Sequence, residues 1–169
     1  MTSAIREQMR TPMPAVSDEL TLIASFMLAT AGLAHLSVAP AHFGEWWLFG
    51  ALFLLAAGLQ MGLALGLLLR PSCANFTAGV VVSCALIAVW TLSRSSGLPL
   101  GPEPGAEEGI GALDLLTTLD EIALVVLAAV ALLGPGWMRS RRLVLACEAS
   151  GVALGVVLTL AFAGGVGHG

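Results

Sequence analysis

Five long apolar runs dominate the pattern of hydrophobic and polar positions along this chain. They cover residues 20–39, 46–69, 74–93, 112–134 and 143–164. About 20 apolar residues in an α-helix span the hydrocarbon core of a bilayer, whereas a membrane β-strand needs only about 9–11 residues. A helix also satisfies its own backbone hydrogen bonds, which lipid cannot do. The pattern therefore predicts an all-α integral membrane protein, a helical bundle with five transmembrane helices.

Polar segments bound and divide this predicted bundle of residues 20–164. Residues 1–19 are polar and contain two arginines and two prolines, which predicts a short, mostly disordered tail. Residues 165–169 form a second short tail. Prolines and glycines, which break helices, occupy the connectors, and the longest connector covers residues 97–111.

The composition agrees with a chain that lies mostly in lipid. Hydrophobic residues make up 57% of the sequence and charged residues 11%, and the mean hydropathy is +0.93. A soluble domain has about 25% charged residues, so most of this surface is unsuited to water. The formal charge of -4 and the absence of a polybasic segment argue against a nucleic-acid partner. The expected partner is the lipid bilayer of the cell (cytoplasmic) membrane.

The arginines predict the orientation of the bundle. With the N-terminus inside, the outer segments contain only Arg94, and the inner segments contain the six others: Arg6, Arg10, Arg70, Arg139, Arg141 and Arg142. Cytoplasmic loops of membrane proteins carry an excess of basic residues, so we expect the N-terminus inside and the C-terminus outside. In this orientation Trp46, Trp47 and Trp90 lie at the outer interface and Trp137 lies at the inner one, as an aromatic belt requires.

Glycines at four-residue spacing predict close helix packing. The second run contains Gly58, Gly62 and Gly66, and the fifth contains Gly151 and Gly155. Residues four apart share a helix face, and small residues there let two helix backbones approach each other. These faces suit packing within one chain, a homo-oligomer, or contact with a partner in a membrane complex.

Polar residues inside the apolar runs are costly in lipid, so each needs a partner. His35 shares a face of the first helix with small residues, so we expect it to point into the bundle. Gln60 lies deep in the second run, and Asp120 lies off the main polar stripe of the fourth. That stripe has the spacing i, i+3, i+4, i+7 and consists of Asp114, Thr117, Thr118 and Glu121.

Imidazole and carboxylate groups gather at the outer ends of the predicted spans. The candidate site residues are His35, His42, Glu45, Asp114 and Glu121. Arg94 lies at the rim, and Gln60, Thr117 and Thr118 are expected to support the site. This set of ligands suits a transition metal such as zinc, copper or iron, and the same groups can relay protons. On a continuous helix His35 and His42 lie about 10.5 Å apart, so a shared ion would require a bend at Pro40.

Structural explanations compete with a functional site. His35 can pair with Glu121, and Arg94 with Asp114, only to stabilise the bundle. The acidic residues Glu103, Glu107 and Glu108 suit a solvated loop. If these polar residues have only a structural role, the expected function is that of a structural or assembly subunit of a larger membrane complex. The sequence contains no phosphate-binding glycine loop, no GxSxG and no HExxH motif, which disfavours an enzyme.

Two stretches of the sequence form a recognisable pattern. They are Ala34-His35…His42-Phe43…Glu45-Trp46…Gly50…Phe53…Ala57…Gln60 and Trp90…Ser93-Arg94…Gly97-Leu98-Pro99…Gly101, followed by Gly111…Asp114…Glu121. This pattern resembles that of small, uncharacterised bacterial multi-pass membrane proteins, and the resemblance covers about residues 20–134. It implies a helical membrane bundle that groups the histidines with Arg94 and the acidic residues, and it implies no particular activity.

Overall fold

The structure, a computed structural model, describes residues 18–133, which form four helices and no strand. Helix α1 covers Asp18–Glu45, α2 covers Trp47–Leu69, α3 covers Cys73–Ser95 and α4 covers Ala112–Leu133. The all-α prediction is confirmed for this part of the chain. Consecutive helices run in opposite directions, so α1 and α3 end where α2 and α4 begin. We call this end of the bundle the cavity end.

Three of these helices are long and apolar enough to cross a membrane: Glu19–Glu45, Trp47–Leu69 and Cys73–Ser95. They fit the prediction of a membrane protein. Helix α4 coincides with the fourth predicted run, but it carries Asp114, Asp120 and Glu121 and is not among the three. The fifth predicted run, with Gly151 and Gly155, lies outside the described residues, as do residues 1–17 and 165–169. The count of five spans and the orientation therefore stay predictions.

Helix α1 is longer than the first apolar run. The sequence placed its end near residue 39, and the helix continues through Pro40 to Glu45. Proline lacks the N–H that would bond to the carbonyl one turn earlier, which usually ends or bends a helix. Membrane helices tolerate this loss. The prediction of a connector at Pro40 was therefore wrong, and only Trp46, with extended backbone, separates α1 from α2.

Helices α1 and α2 approach closely at Gly32. A Cβ atom on Gly32 would lie 2.8 Å from Met61 Cγ and 3.2 Å from the Ala57 carbonyl oxygen. The absence of a side chain therefore allows the two helices to meet. By contrast, a Cβ on Gly58 or Gly62 would have no atom of the described residues within 4 Å. These two glycines of the predicted packing face therefore do not pack against α1, α3 or α4.

Gly66, the third predicted packing glycine, differs from the other two. A Cβ there would lie 3.3 Å from Asn75 Nδ2, beside the turn between α2 and α3. Asn75 Nδ2 also donates to the Arg70 carbonyl oxygen at 3.2 Å. This glycine therefore accommodates the side chain that ties the turn together.

We expect Gly32→Leu to lower the free energy of unfolding by about 2 kcal/mol, because the new side chain overpacks the α1–α2 contact. Gly58→Leu adds the same atoms to the same type of helix and should be tolerated, because no described residue lies near it. Denaturant titration in mixed micelles measures both variants. Equal losses in the two variants would contradict this packing.

The interior of the bundle has two parts. Away from the cavity end, most of the core is apolar and holds side chains from all four helices, although buried Thr21, Ser25 and Ser83 also lie in this half. Its members are Ile23, Ala24, Met27, Leu28, Ala64, Leu67, Phe76, Leu124, Leu127 and Ala128. We call this group the apolar plug. Toward the cavity end the interior becomes polar, and a cavity replaces close packing.

Candidate functional site: a polar cavity closed by an apolar plug

A cavity of about 880 Å³ lies between the four helices and the loop of residues 96–111. Its deepest lining positions are Ala34 on α1, Ala56 on α2, Leu86 on α3 and Glu121 on α4. None of the residues of the apolar plug lines it. The cavity therefore ends about halfway along the bundle.

Glu121 forms the polar floor of this cavity. Gln60 Nε2 donates to Glu121 Oε1 at 2.7 Å, and His35 Nε2 lies 3.3 Å from the same oxygen. Glu121 is 3% exposed and Gln60 is fully buried, while the His35 side chain is 14% exposed. We call these three residues the Glu121 cluster. Within the described residues, Glu121 Oε2 has no hydrogen-bond partner.

Three different helices position this cluster. Residue Gln60 lies on the buried stripe of α2 between Ala57 and Ala64, so its amide is held inside the bundle. Helix α4 presents Asp114, Thr117, Thr118 and Glu121 to the cavity, which is the stripe predicted from their spacing. The two threonine hydroxyls donate to carbonyl oxygens of their own helix, at Leu113 and Asp114. Their protons are therefore not directed at a ligand.

The second histidine forms a separate pair near the cavity end. His42 Nδ1 lies 2.9 Å from Glu45 Oε2, and the Glu45 side chain is 58% exposed. The His42 ring stacks on Phe53 with 4.0 Å between ring centroids. Because α1 is continuous, His35 and His42 lie two turns apart and bind different carboxylates.

Arg94 joins three elements at the rim of the cavity. Its guanidinium donates to Asp114 at the start of α4 and to Glu108 in the loop, and it also donates to Ser93. The guanidinium carbon lies 5.6 Å from the centre of the Trp90 ring, a cation–π distance. Glu108, assigned to a solvated loop from the sequence, is therefore an ion-pair partner. Arg94 holds the loop and α4 against the end of α3.

The predicted site residues thus fall into three groups rather than one metal centre. His35 pairs with Glu121, His42 with Glu45, and Asp114 with Arg94. Between residues 18 and 133, no three side chains of His, Cys, Asp or Glu are arranged to hold a metal ion. The hypothesis of a bound zinc, copper or iron therefore has no support in this geometry.

Asp120 is a buried carboxylate that the sequence did not place in the site. It is 2% exposed, and its Oδ2 lies 3.3 Å from the Thr30 hydroxyl on α1. Its Oδ1 has no partner within the described residues. Adjacent residues on a helix point about 100° apart, so Asp120 and Glu121 face different neighbours. The presence of two adjacent acidic residues within an apolar run is the sequence feature that could have predicted that both of these faces of α4 pack against other helices.

Comparison of the chain with protein-family models, with curated proteins and with solved structures gives no match. What the protein does therefore has to be inferred from the cavity and its side chains.

Proposed function

We propose that this chain is a multi-pass protein of the cell membrane that binds and releases protons at the Glu121 cluster, in a cavity that faces the outside. The observation that carries the proposal is the buried carboxylate of Glu121, hydrogen-bonded to His35 at the floor of a cavity. Ionisable groups inside membrane bundles are costly and usually mark ion, proton or substrate sites. The outward orientation rests on the arginine counts alone.

The chemistry of the cluster suits proton exchange. Histidine is the side chain that ordinarily changes charge between pH 5 and 8. His35 and Glu121 lie 3.3 Å apart, so a proton that enters the cavity has two adjacent acceptors. The amide of Gln60 stays hydrogen-bonded to Glu121 Oε1 and holds the carboxyl group in place. Protonation of this pair would change its charge, and so it would change the electrostatic interaction of the pair with a small solute in the cavity.

The apolar plug limits what the cluster can do in this conformation. No plug residue lines the cavity, so packed apolar side chains separate the cavity from the other end of the described bundle. Thr21, Ser25 and Ser83 carry buried hydroxyl groups on that side. We therefore expect protons to reach the Glu121 cluster from the cavity side. Transport across the membrane would require the helices to move apart at the plug.

Infrared difference spectroscopy of the protein in lipid vesicles tests the proposal. We expect a pH-dependent band from a protonated carboxyl group, and we expect Glu121→Gln to remove it. His35→Gln should shift the pH at which the band appears, because it removes the adjacent acceptor. Glu19→Gln, at an exposed position outside the cavity, is the matched control and should leave the band unchanged. Identical titrations of the wild type and Glu121→Gln would refute proton binding at this residue.

A second candidate function is that of a structural or assembly subunit of a membrane complex. It is favoured by the face of α2 that contains Gly58 and Gly62, which touches no described residue. Leu55 and Leu59 are also exposed on this helix. Native mass spectrometry of the solubilised complex, with Gly62→Leu as the disrupting variant, tests this role. A monomer in both the wild type and the variant would reject it.

A further inference from the structure

We propose that the cavity binds a small organic cation that carries an N–H group, such as a protonated primary or secondary amine, with Glu121 Oε2 as its anionic contact. This inference rests on the site of the proposed function and names the class of solute that it takes. Three independent observations carry it: the charge of the lining, the unpaired oxygen at the floor, and the size and character of the walls.

The lining of the cavity is strongly acidic. Among the described residues, Arg94 is its only arginine, and its guanidinium is already bound to Asp114 and Glu108. Six acidic side chains line it: Glu45, Glu103, Glu107, Glu108, Asp114 and Glu121. A cleft lined by one sign of charge raises the local concentration of ions of the opposite sign. The field therefore favours a cation and repels an anion.

The floor offers a hydrogen-bond acceptor. Both hydrogen bonds of the Glu121 cluster go to Glu121 Oε1, which leaves Oε2 without a partner among residues 18–133. Glu121 is only 3% exposed, and it lines the cavity. An ammonium N–H can donate to Oε2, and such a charge-assisted hydrogen bond is stronger than the bond from a neutral hydroxyl. The carboxylate would repel an anion.

The walls suit the hydrocarbon body of such a cation. Phe49, Leu52, Phe53 and Val89 line the cavity between its acidic rim and its floor. Its volume of about 880 Å³ lies within the range of about 300–1,000 Å³ that is typical of small-molecule pockets. Aromatic rings also attract cations that are stripped of water. An organic cation thus fits better than a hydrated inorganic ion.

Protons and the organic cation should compete for Glu121. A proton on this carboxyl group removes the negative charge that the cation would contact. We therefore expect the affinity for the cation to fall as the pH is lowered far enough to protonate Glu121. A loss of affinity over the pH range in which the carboxyl infrared band titrates would link this inference to the proposed function.

Calorimetric titration of the full-length protein in phosphatidylcholine nanodiscs tests the inference. The probes are benzylammonium, benzenesulfonate and benzyl alcohol, which share a phenyl ring and differ in charge. We expect saturable binding of the cation only. Glu121→Gln should weaken it roughly 10- to 100-fold, the range expected for loss of a charge-assisted hydrogen bond. Glu19→Gln, which lies outside the cavity, should bind as the wild type does.

Each outcome separates this inference from the proposed function. No saturable binding of benzylammonium, or equal binding by Glu121→Gln that retains the wild-type circular dichroism spectrum, overturns the organic cation. If the carboxyl infrared band still titrates in that case, proton exchange stands alone. If Glu121→Gln does not fold, the wild type decides, since an affinity for benzylammonium that stays constant across the pH range in which the carboxyl infrared band titrates overturns the contact with Glu121.

Discussion

Leucine in place of Glu121 is expected to lower the free energy of unfolding by about 2 kcal/mol, because it removes the partner of a buried amide. Gln60 is fully buried, and its Oε1 already has no hydrogen-bond partner within the described residues. Loss of the bond from Gln60 Nε2 to Glu121 would leave the amide with none. Single interhelical hydrogen bonds in membranes contribute only about 0.6 kcal/mol on average. The rest of the expected loss comes from leaving the buried Gln60 amide without a hydrogen-bond partner. Denaturant titration in mixed micelles measures the loss.

Two further variants identify the cause. Glu121→Gln keeps an oxygen that can accept from Gln60, so most of the stability should remain. The double variant Gln60→Leu/Glu121→Leu removes both polar partners, and it should be more stable than Glu121→Leu alone, because replacing both partners with apolar groups can be nearly neutral. A double variant that loses as much as the sum of the single variants would show that the two side chains do not act together.

Alanine in place of Arg94 is expected to free the loop of residues 96–111 from the end of α3. The guanidinium holds Glu108 in this loop and Asp114 at the start of α4, and its loss leaves both carboxylates beside each other. We expect a loss of about 1–2 kcal/mol in the free energy of unfolding, since hydrogen bonds to charged groups are stronger than neutral ones. Amide hydrogen exchange in the loop should become faster.

The matched control is Arg70→Ala. Arg70 is the other arginine of residues 18–133, it is exposed, and its side chain makes no ion pair with a described residue. Exchange in the loop should be unchanged in this variant. Arg94→Lys should restore only part of the protection, because an ammonium group lacks the planar fork that reaches two carboxylates at once. Unchanged exchange in Arg94→Ala would mean that the backbone bond from Glu108 N to Ser93 O suffices to hold the loop.

The helices themselves were predictable from the sequence, since a long apolar run needs internal hydrogen bonds in lipid. Predicted and observed ends of the second and third runs agree within two residues, and the fourth helix begins at Ala112 as predicted. Pro40 caused the main error, because a proline indicates only a weakened helix, and its neighbours decide whether the helix continues. Which face of α2 meets α1 was not predictable from glycine spacing alone. Gly32, a single glycine without a motif, lies in close contact with α2, while Gly58 and Gly62 face away from the other described helices.

The polar stripe of α4 was predictable in the same sense. Its spacing placed Asp114, Thr117, Thr118 and Glu121 on one face, and this face lines the cavity. The partners of these residues were harder to predict from the sequence, because they depend on how α1 and α4 are rotated relative to each other. His42 and Glu45 therefore joined one predicted site with His35 but form their own pair. Asp120 was missed because its partner, Thr30, lies on a face that the sequence did not mark as polar.

The apolar plug gives the molecule a sidedness that binding assays have to respect. Met27, Leu67 and Leu124 pack together beyond the inner end of the cavity. Within the described helices, a charged compound therefore cannot enter the cavity from the other side of the membrane. In sealed vesicles with uniformly inserted protein, a membrane-impermeant ammonium compound would bind at Glu121 when added on one side of the membrane. It would not bind when added on the other side. The compartment that responds would then report the insertion direction of the chain, independently of any count of arginines.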